Sequence, residues 1–433
     1  MPTGRLRLAL ISMHTSPLAD AGAGDAGGMN VMLRHSADAL AAAGHQVDLF
    51  TRRSDPDPPD TQPLPSGAVV HQLRAGPAAP VGKREQEDLI APFAATLATR
   101  WDGWDVVHSH HWFSGMAAQP LAAAHGRPHI QTFHSIAADH GRPLSEGEPP
   151  EGPGRVDGER HLAQVSDAVI AVSRAEGTTA IQRLGASPDR VHVVPPGVDL
   201  NLFRPLPGRA GADAHRDSVR RDSDRRDSNQ RSSRDSGDGA RQFGDRPAAL
   251  VLAARLEPLK GVDLAIRALA LVPEDLRPTL HVLGTPSSAY AGYEQELRGL
   301  ADRLGVGRWL QFSGAVSRTV LARSFATARA VLVPSHSETF GLTALEAAAC
   351  GVPVITSGAG GLSEAVQDGV TGLVIPARDP RQWADAITSL LLDPERAAAL
   401  GAAGRKLAGT RTWQATAAGW LAVYRQVRTR AHT

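Results

Sequence analysis

Residues 330–346 read AVLVPSHSETFGLTALE, and the fold turns on this stretch. Ala330 to Pro334 is a short apolar run with β-branched residues, the pattern of a buried parallel strand. SHSETFG follows as a turn of small and polar residues. LTALEAAACG then has the apolar spacing and alanine content of a helix, ended by Gly351 and Pro353. Strand, glycine-containing turn and helix make a βα unit whose helix N-terminus faces an anionic ligand. Glu338 sits in the turn and Glu346 in the helix, with seven residues between them. Both carboxylates can therefore face one cleft at different depths. Two such glutamates taken alone would be a solvated loop residue and a helix-surface residue; the strand–turn–helix context favours a site.

The same alternation extends on both sides of this unit. AALVLA, TLHVLG, WLQFSG, PVIT and GLVI read as further strands with helices between them, giving a Rossmann-like half over residues 248–410. ARLEPLKG places Arg255 and Lys260 just after a strand. Cations in a loop are ordinarily solvated. Held at the carboxyl end of a strand, two of them could instead bind an anionic ligand.

Residues 1–205 open in the same way. Leu6 to Ser12 is a strand, a long loop follows, Val31 to Ala43 is helical, Gly44 stops the helix, and HQVDLFT is the second strand. The loop lacks G-x-G-x-x-G at the spacing of a dinucleotide site. Gly27 and Gly28, just before the helix, would let backbone N–H groups approach a phosphate, although glycine there is commonly only a turn. WDVVHSHHWFSG is a strand entering a loop with His108, His110 and His111. Three histidines invite a zinc reading, but no helical His-Glu motif or cysteine accompanies them, so they read as polar loop residues at a strand end. PHIQTFHSIA is another strand, with His134 and Ser135 at its carboxyl end, where open α/β sheets bind ligands. Residues 142–155 form a Pro/Gly/Glu-rich loop, and a helix begins at Glu159. Asp55-x-Asp57 is flanked by prolines and reads as a surface loop rather than a metal site.

Residues 206–247 are rich in Arg, Asp and Ser and almost free of apolar side chains. Such a segment cannot bury enough surface to offset its ordering entropy and is expected to be a disordered linker insert between the halves. Residues 411–433 carry a last apolar helical segment with Trp413, Trp420, Leu421 and Tyr424.

The 433 residues suffice for two or three domains, and 42 % hydrophobic with 21 % charged residues excludes global disorder. A net charge of +1 gives no argument for nucleic acid or a membrane surface, and no apolar run is long enough to span a bilayer. Arginines precede the first apolar run, as in a signal peptide, but that run is short and leads into a Gly/Asp-rich loop. Cys350 is the only cysteine, so no internal disulfide can form, and a reducing cytoplasm is the expected setting.

The Glu338–Glu346 pattern resembles the donor-sugar motif of glycosyltransferase family 4, a retaining family with the GT-B fold, an α/β architecture of two Rossmann-like domains facing across a cleft. The resemblance implies that Glu338 touches hydroxyls of the transferred sugar and Glu346 the ribose of the nucleotide. It implies that the N–H groups of Phe340, Gly341 and Leu342, with Gly28 opposite, approach the diphosphate and sugar, and that Arg255 and Lys260 bind the diphosphate. HTSPLADAGAGDAGGMNV, VVHSHHWFSG, QTFHSIA and VVPPGVDLNLF resemble the branch that transfers N-acetylglucosamine from its uridine diphosphate (UDP) sugar to 1L-myo-inositol 1-phosphate in mycothiol biosynthesis. There Asn30 matches an inositol contact, and Lys83, His111, Ser135 and Arg155 match a phosphate clamp. His111 stands where the family has tyrosine, and Ser135 replaces a threonine. ADHG after His134 also departs from the family, which has a lysine-containing segment there. His134 matches a histidine touching the donor sugar near its 6-hydroxyl. The implied catalytic set is His134, Arg255, Lys260 and Glu338, with no metal or other cofactor, and the last helix crosses back to the first domain. Partners are then a UDP-sugar and a small polar acceptor, phosphorylated or not, with a homodimer left open. Other readings remain at this point: a cyclitol, aminocyclitol or other natural-product acceptor, a UDP-sugar 2-epimerase, or a catalytically dead sugar-binding protein.

Overall fold

The computed structural model describes residues 4–19, 27–57, 59–138, 153–206, 249–287 and 290–430. The stretch read as a disordered insert, residues 206–247, lies outside them apart from Leu206, as do residues 142–152 of the Pro/Gly/Glu-rich loop.

The apolar runs pair into two sheets. The first contains β1 (Arg7–Ser12), β2 (Gln46–Arg52), β3 (Thr61–Pro63), β4 (Val69–Leu73), β5 (Val106–His110), β6 (His129–Thr132), β7 (Ala168–Ala171) and β8 (Val191–Val193), in the order β3-β4-β2-β1-β5-β6-β7-β8. All pairs are parallel except β3 with β4. The second contains β9 (Leu250–Ala253), β10 (Leu280–Leu283), β11 (Leu310–Phe312), β12 (Ala330–Val333), β13 (Val354–Ser357) and β14 (Gly372–Ile375), all parallel, in the order β11-β10-β9-β12-β13-β14. In each sheet the order reverses beside the first strand, between β1 and β5 and between β9 and β12. Loops leaving the carboxyl ends there diverge and open a crevice. Helices cover both faces, so β5, β6, β7, β12 and β13 are buried along their whole length.

Three local differences from the sequence expectations have physical causes. The first helix runs Gly28–Ala42 and starts ahead of Val31, because Asn30 Oδ1 accepts from Gly27 N at 3.3 Å and completes the first turn. His108 and His110 lie within β5 rather than in a loop, both fully buried. Side-chain partners make this tolerable: His108 Nδ1 is 2.7 Å from the Tyr424 hydroxyl and Nε2 is 2.8 Å from Thr132 Oγ1. Arg155 is helical, not in a loop, because Pro153 opens the helix Pro153–Val165; a proline suits the first helical position, where its missing N–H is not needed.

The final helix, Trp413–Arg430, packs against the helix Gly28–Ala42 of the first sheet's domain. Trp413 stacks on His35 with ring centroids 5.1 Å apart, Thr416 Oγ1 donates to Pro195 O at 3.0 Å, and Arg428 lies 3.5 Å from Asp105. Among the described residues no helix is long and apolar enough to cross a membrane.

Two further contacts tie the halves together beside the crevice. Thr339 Oγ1 donates to the carbonyl of His134 at 2.6 Å. Glu364, from the second half, accepts from Arg174 N at 2.6 Å and Ala175 N at 3.3 Å. These N–H groups begin the helix Arg174–Gln182, where a carboxylate meets the positive end of the helix dipole. In the same turn Glu176 is buried and accepts from Val172 N at 2.7 Å.

Trp420 is fully buried and packs edge-on against His108. Trp420→Ala is expected to cost about 3–5 kcal/mol, read as a lowered urea midpoint. Burial pushes the Glu176 carboxyl up to about 8, against the N–H groups of Val172 and His134, which favour the carboxylate. Because the folded value lies above the ordinary 4.5, the unfolded chain loses this proton first as pH rises. The stability contributed is complete below about pH 4.5 and is lost towards about pH 8. Between about pH 5 and 8 the wild-type urea midpoint should fall, and the fall should be shallower in Glu176→Gln. Equal slopes would mean that Glu176 is ionised in the fold.

Candidate active site

The loops from the carboxyl ends of both sheets enclose one cleft of about 840 Å³. It is lined by every residue singled out from the sequence as donor- or acceptor-binding except Lys83. Lys83 opens the helix Lys83–Glu87, whose neighbours Gly82 and Glu85 do line the cleft; its side chain lies outside the described residues.

The second domain supplies one wall. The turn after β12 ends at Gly341, with φ of 97°, and the helix Leu342–Ala349 starts there. The dihedral requires glycine, and a Cβ on Gly341 would lie 2.4 Å from Leu362 Cδ2 and displace that side chain. The turn is held from behind as well. Gly361 N donates to Glu338 O at 2.9 Å, and a Cβ on Gly360 would lie 2.1 Å from that oxygen. Opposite stands the start of the helix Gly28–Ala42; a Cβ on Gly28 would be 3.8 Å from Leu342 Cδ2. Two helix N-termini, one from each domain, thus meet at the cleft, and their unpaired N–H groups and dipoles favour an anion between them.

Charged side chains complete this wall. Lys260 Nζ donates to both carboxylate oxygens of Glu338, at 2.9 and 3.2 Å. Arg255 lies 3.2 Å from Glu257. Glu346 is only 2 % exposed and pairs with Arg318 at 2.7 Å. Burial raises the pKa of Glu346, and the Arg318 guanidinium opposes that rise. Arg318 in turn lies over the Phe203 ring, 4.7 Å from its centroid.

The first domain supplies the other wall. His134 has a φ of 61° and His111 a φ of 68°, both in the left-handed region that a non-glycine residue seldom occupies. His134 Nε2 is 2.8 Å from His110 Nδ1, and burial pushes its pKa down to about 3, so the ring is neutral. His111 stacks on His14 at 4.6 Å, and His14 Nδ1 is 3.2 Å from Gln86 Oε1. Arg155 donates to Glu159 Oε1 at 2.8 Å and to Ser135 Oγ at 2.9 Å. Ser135 and Arg155, 20 residues apart in sequence, are therefore brought into direct contact. Asn30 Nδ2 donates to Ser16 O and its Oδ1 accepts from Thr15, so it also ties down the loop after β1. Asp55 accepts from Asp57 N at 3.0 Å in an exposed turn.

Several cleft residues escaped the sequence reading. His14 follows the end of β1 at the point where strand order reverses, a signal that was there to be used. Thr339 sits next to Glu338, but its role depends on a partner 205 residues away. Arg318 and Glu85 carried no local signal.

The arrangement offers anion-binding groups on one side and a polar pocket with an arginine, a serine and two histidines on the other. Residues 26–202 match the family described as Glycosyltransferase Family 4, and residues 238–407 match Glycosyl transferases group 1. A D-inositol 3-phosphate glycosyltransferase of Segniliparus rotundus is 37% identical over 428 residues, covering 97% of this chain and 89% of that protein. One from Xylanimonas cellulosilytica is 38% identical over 426 residues, covering 97% and 96%. The solved sucrose-phosphate synthase of Thermosynechococcus elongatus superposes with a TM-score of 0.82 at 29% identity, covering 98% of this chain and 99% of that one. Anabaena HepE in complex with UDP and glucose has the same fold, with a TM-score of 0.70 at 20% identity, covering 96% and 98%. With two parallel-sheet domains closing on one cleft and full-length relatives of this kind, the chain belongs to glycosyltransferase family 4 and has the GT-B fold.

Proposed function

We propose that the protein transfers N-acetylglucosamine from its UDP-sugar to 1L-myo-inositol 1-phosphate, with retention at the anomeric carbon, as in mycothiol biosynthesis. The observation that carries this reading is the Lys260–Glu338 pair set where two helix N-termini meet. The inositol phosphate acceptor is supported by the names of the relatives and by Arg155 and Ser135 in contact on the opposite wall.

The ammonium of Lys260 has three donors, and two already reach Glu338. The third is free to meet a diphosphate oxygen while Glu338 turns its lone pairs to sugar hydroxyls. In the transfer the bond from C1 to the diphosphate oxygen breaks and its electron pair leaves with UDP. An acceptor hydroxyl oxygen bonds to the same face of C1, and its proton passes to the departing diphosphate. Lys260, Arg255 and the N–H groups from Phe340 to Leu342 stabilise the charge that grows there. These groups stand in for a metal, so no cofactor is needed. Arg155, Ser135, His111 and Lys83 hold the acceptor phosphate, and Asn30 the ring. A reducing cytoplasm suits the single free cysteine, Cys350. A second acceptor reading, an aminocyclitol, is favoured by one observation: Glu85 puts a carboxylate on the cleft beside the start of the helix Lys83–Glu87.

Incubation with UDP-N-acetylglucosamine and candidate acceptors tests these readings. UDP release that depends on inositol phosphate supports the first, release with an aminocyclitol alone supports the second, and acceptor-free epimerisation of the donor defeats both. Lys260→Ala and Arg255→Ala should each lose about 2–4 kcal/mol of transition-state stabilisation, a roughly 30- to 1,000-fold drop in kcat, and wild-type turnover should survive excess chelator. Wild-type kcat in both variants would remove these cations from the diphosphate. Arg155→Ala should raise the KM for inositol phosphate strongly and leave the donor KM nearly unchanged, because each charge-assisted bond is worth about 1.5–3 kcal/mol. Equal wild-type use of inositol and inositol phosphate would defeat the phosphate clamp.

A further inference from the structure

The ring of His134 is held by a buried histidine, His110, and that contact limits what His134 can do in the transfer proposed above. Nε2 of His134 and Nδ1 of His110 are 2.8 Å apart, so one proton lies between them. Among the described residues, Nδ1 of His134 has no hydrogen-bond partner, and the residue lines the cleft. Nε2 of His110 is buried and, among the described residues, also has no partner.

Two proton arrangements satisfy the contact. In one, His134 donates from Nε2. The single proton of a neutral His110 must then sit on Nε2, as a buried N–H with no acceptor. In the other, His110 donates from Nδ1, its Nε2 keeps only a lone pair, and the proton of His134 sits on Nδ1. Either defect has a desolvation cost, but orphaned buried N–H groups are rarer in folded proteins than under-satisfied acceptors, which favours the second arrangement. Both rings are neutral, since burial pushes His110 and His134 well below the ordinary histidine range.

We infer that His110 is a positioning residue that holds His134 as its Nδ1–H tautomer, so that His134 offers the cleft an N–H donor and no lone pair. The consequence is chemical. Nδ1–H can bond to a hydroxyl or carbonyl oxygen of the transferred hexosyl group. His134 cannot take the acceptor's proton, because its one lone pair is occupied by His110. The acceptor's proton must therefore leave by another group, consistent with its transfer to the departing diphosphate in the reaction proposed above.

The support extends behind the pair. His110 lies 4.2 Å from the ring of His108 and 5.3 Å from that of Trp420. His108 bridges Tyr424 and Thr132. On the cleft side the carbonyl of His134 is fixed by Thr339, across the domain boundary. The ring and the backbone are thus clamped by separate partners, and only Nδ1 is left for substrate.

This inference rests on the glycosyl-transfer reading for its role but not for its test. Full-length protein labelled with ¹⁵N-histidine, with His134→Gln used to assign the signals of His134, reports which of its ring nitrogens carries the proton. A protonated Nδ1 and bare Nε2 are expected. A protonated Nε2, or protonation of both nitrogens near neutral pH, overturns the inference whether or not the protein transfers a sugar. Kinetics give a second arm. His110→Leu should lower kcat roughly ten- to hundredfold through misplacement of His134, with the donor KM little changed. His110→Asn, whose amide nitrogen stands near the place of Nδ1, should recover most of the loss. Equal kcat in His110→Leu and wild type, at matched thermal stability, would remove the positioning role and leave the transfer reading intact.

Discussion

The hydrogen bond from Thr339 Oγ1 to the carbonyl of His134 joins the two sheets at the point where both present their chemistry. Thr339 is flanked by Glu338, which binds Lys260, and by Phe340, which precedes the helix start at Gly341. His134 holds a left-handed backbone and a ring fixed by His110. A short bond between these two residues therefore sets the distance between the turn after β12 and the loop after β6. Such strained backbone persists only where surrounding contacts over-determine it. Here those contacts come from both domains.

The rest of the architecture can be read as support for that approach. Gly360 and Gly361 let the loop after β13 press against the backbone of Glu338, so the turn is defined from behind by main chain rather than by adjustable side chains. Glu364, three residues after Gly361, neutralises the N-terminus of the helix Arg174–Gln182 in the other domain. Two sheets with their carboxyl ends face to face would otherwise place several helix N-termini, all positive, around one cleft. Glu338, Glu346 and Glu364 moderate that field, while Lys260 and Arg255 add positive point charges to it.

Much of this was legible in the sequence, and the illegible parts have physical reasons. The strands of both sheets were apparent because parallel strands buried on two faces need unbroken apolar runs. Glu338, Lys260 and Arg255 could be placed at the cleft because each lies in the loop that follows such a run. β5 was read short, since His108 and His110 look polar, and only Tyr424 and Thr132 beside His108, and His134 beside His110, make them acceptable in a core. Arg155 was assigned to a loop because the prolines and glycines before it hide the helix start at Pro153. Thr339 with His134, and Glu364 with Arg174, pair across 205 and 190 positions of chain, and no local pattern announces such partners.

The return of the helix Trp413–Arg430 to the first domain has a consequence for how the protein is made. Trp420 and Tyr424 belong to the core of a domain whose other strands all lie before residue 206. During synthesis those strands emerge first, but His108 lacks its Tyr424 hydroxyl partner and the apolar face of the helix Gly28–Ala42 stays uncovered until the helix Trp413–Arg430 has left the ribosome. At about 5–20 residues per second the wait is roughly 10–40 s. The first-made domain is therefore the last to be completed, and the nascent chain carries an exposed hydrophobic groove through the whole translation of the second. A truncated or prematurely released chain would keep that groove open, a natural target for chaperones and proteases that recognise unfinished proteins.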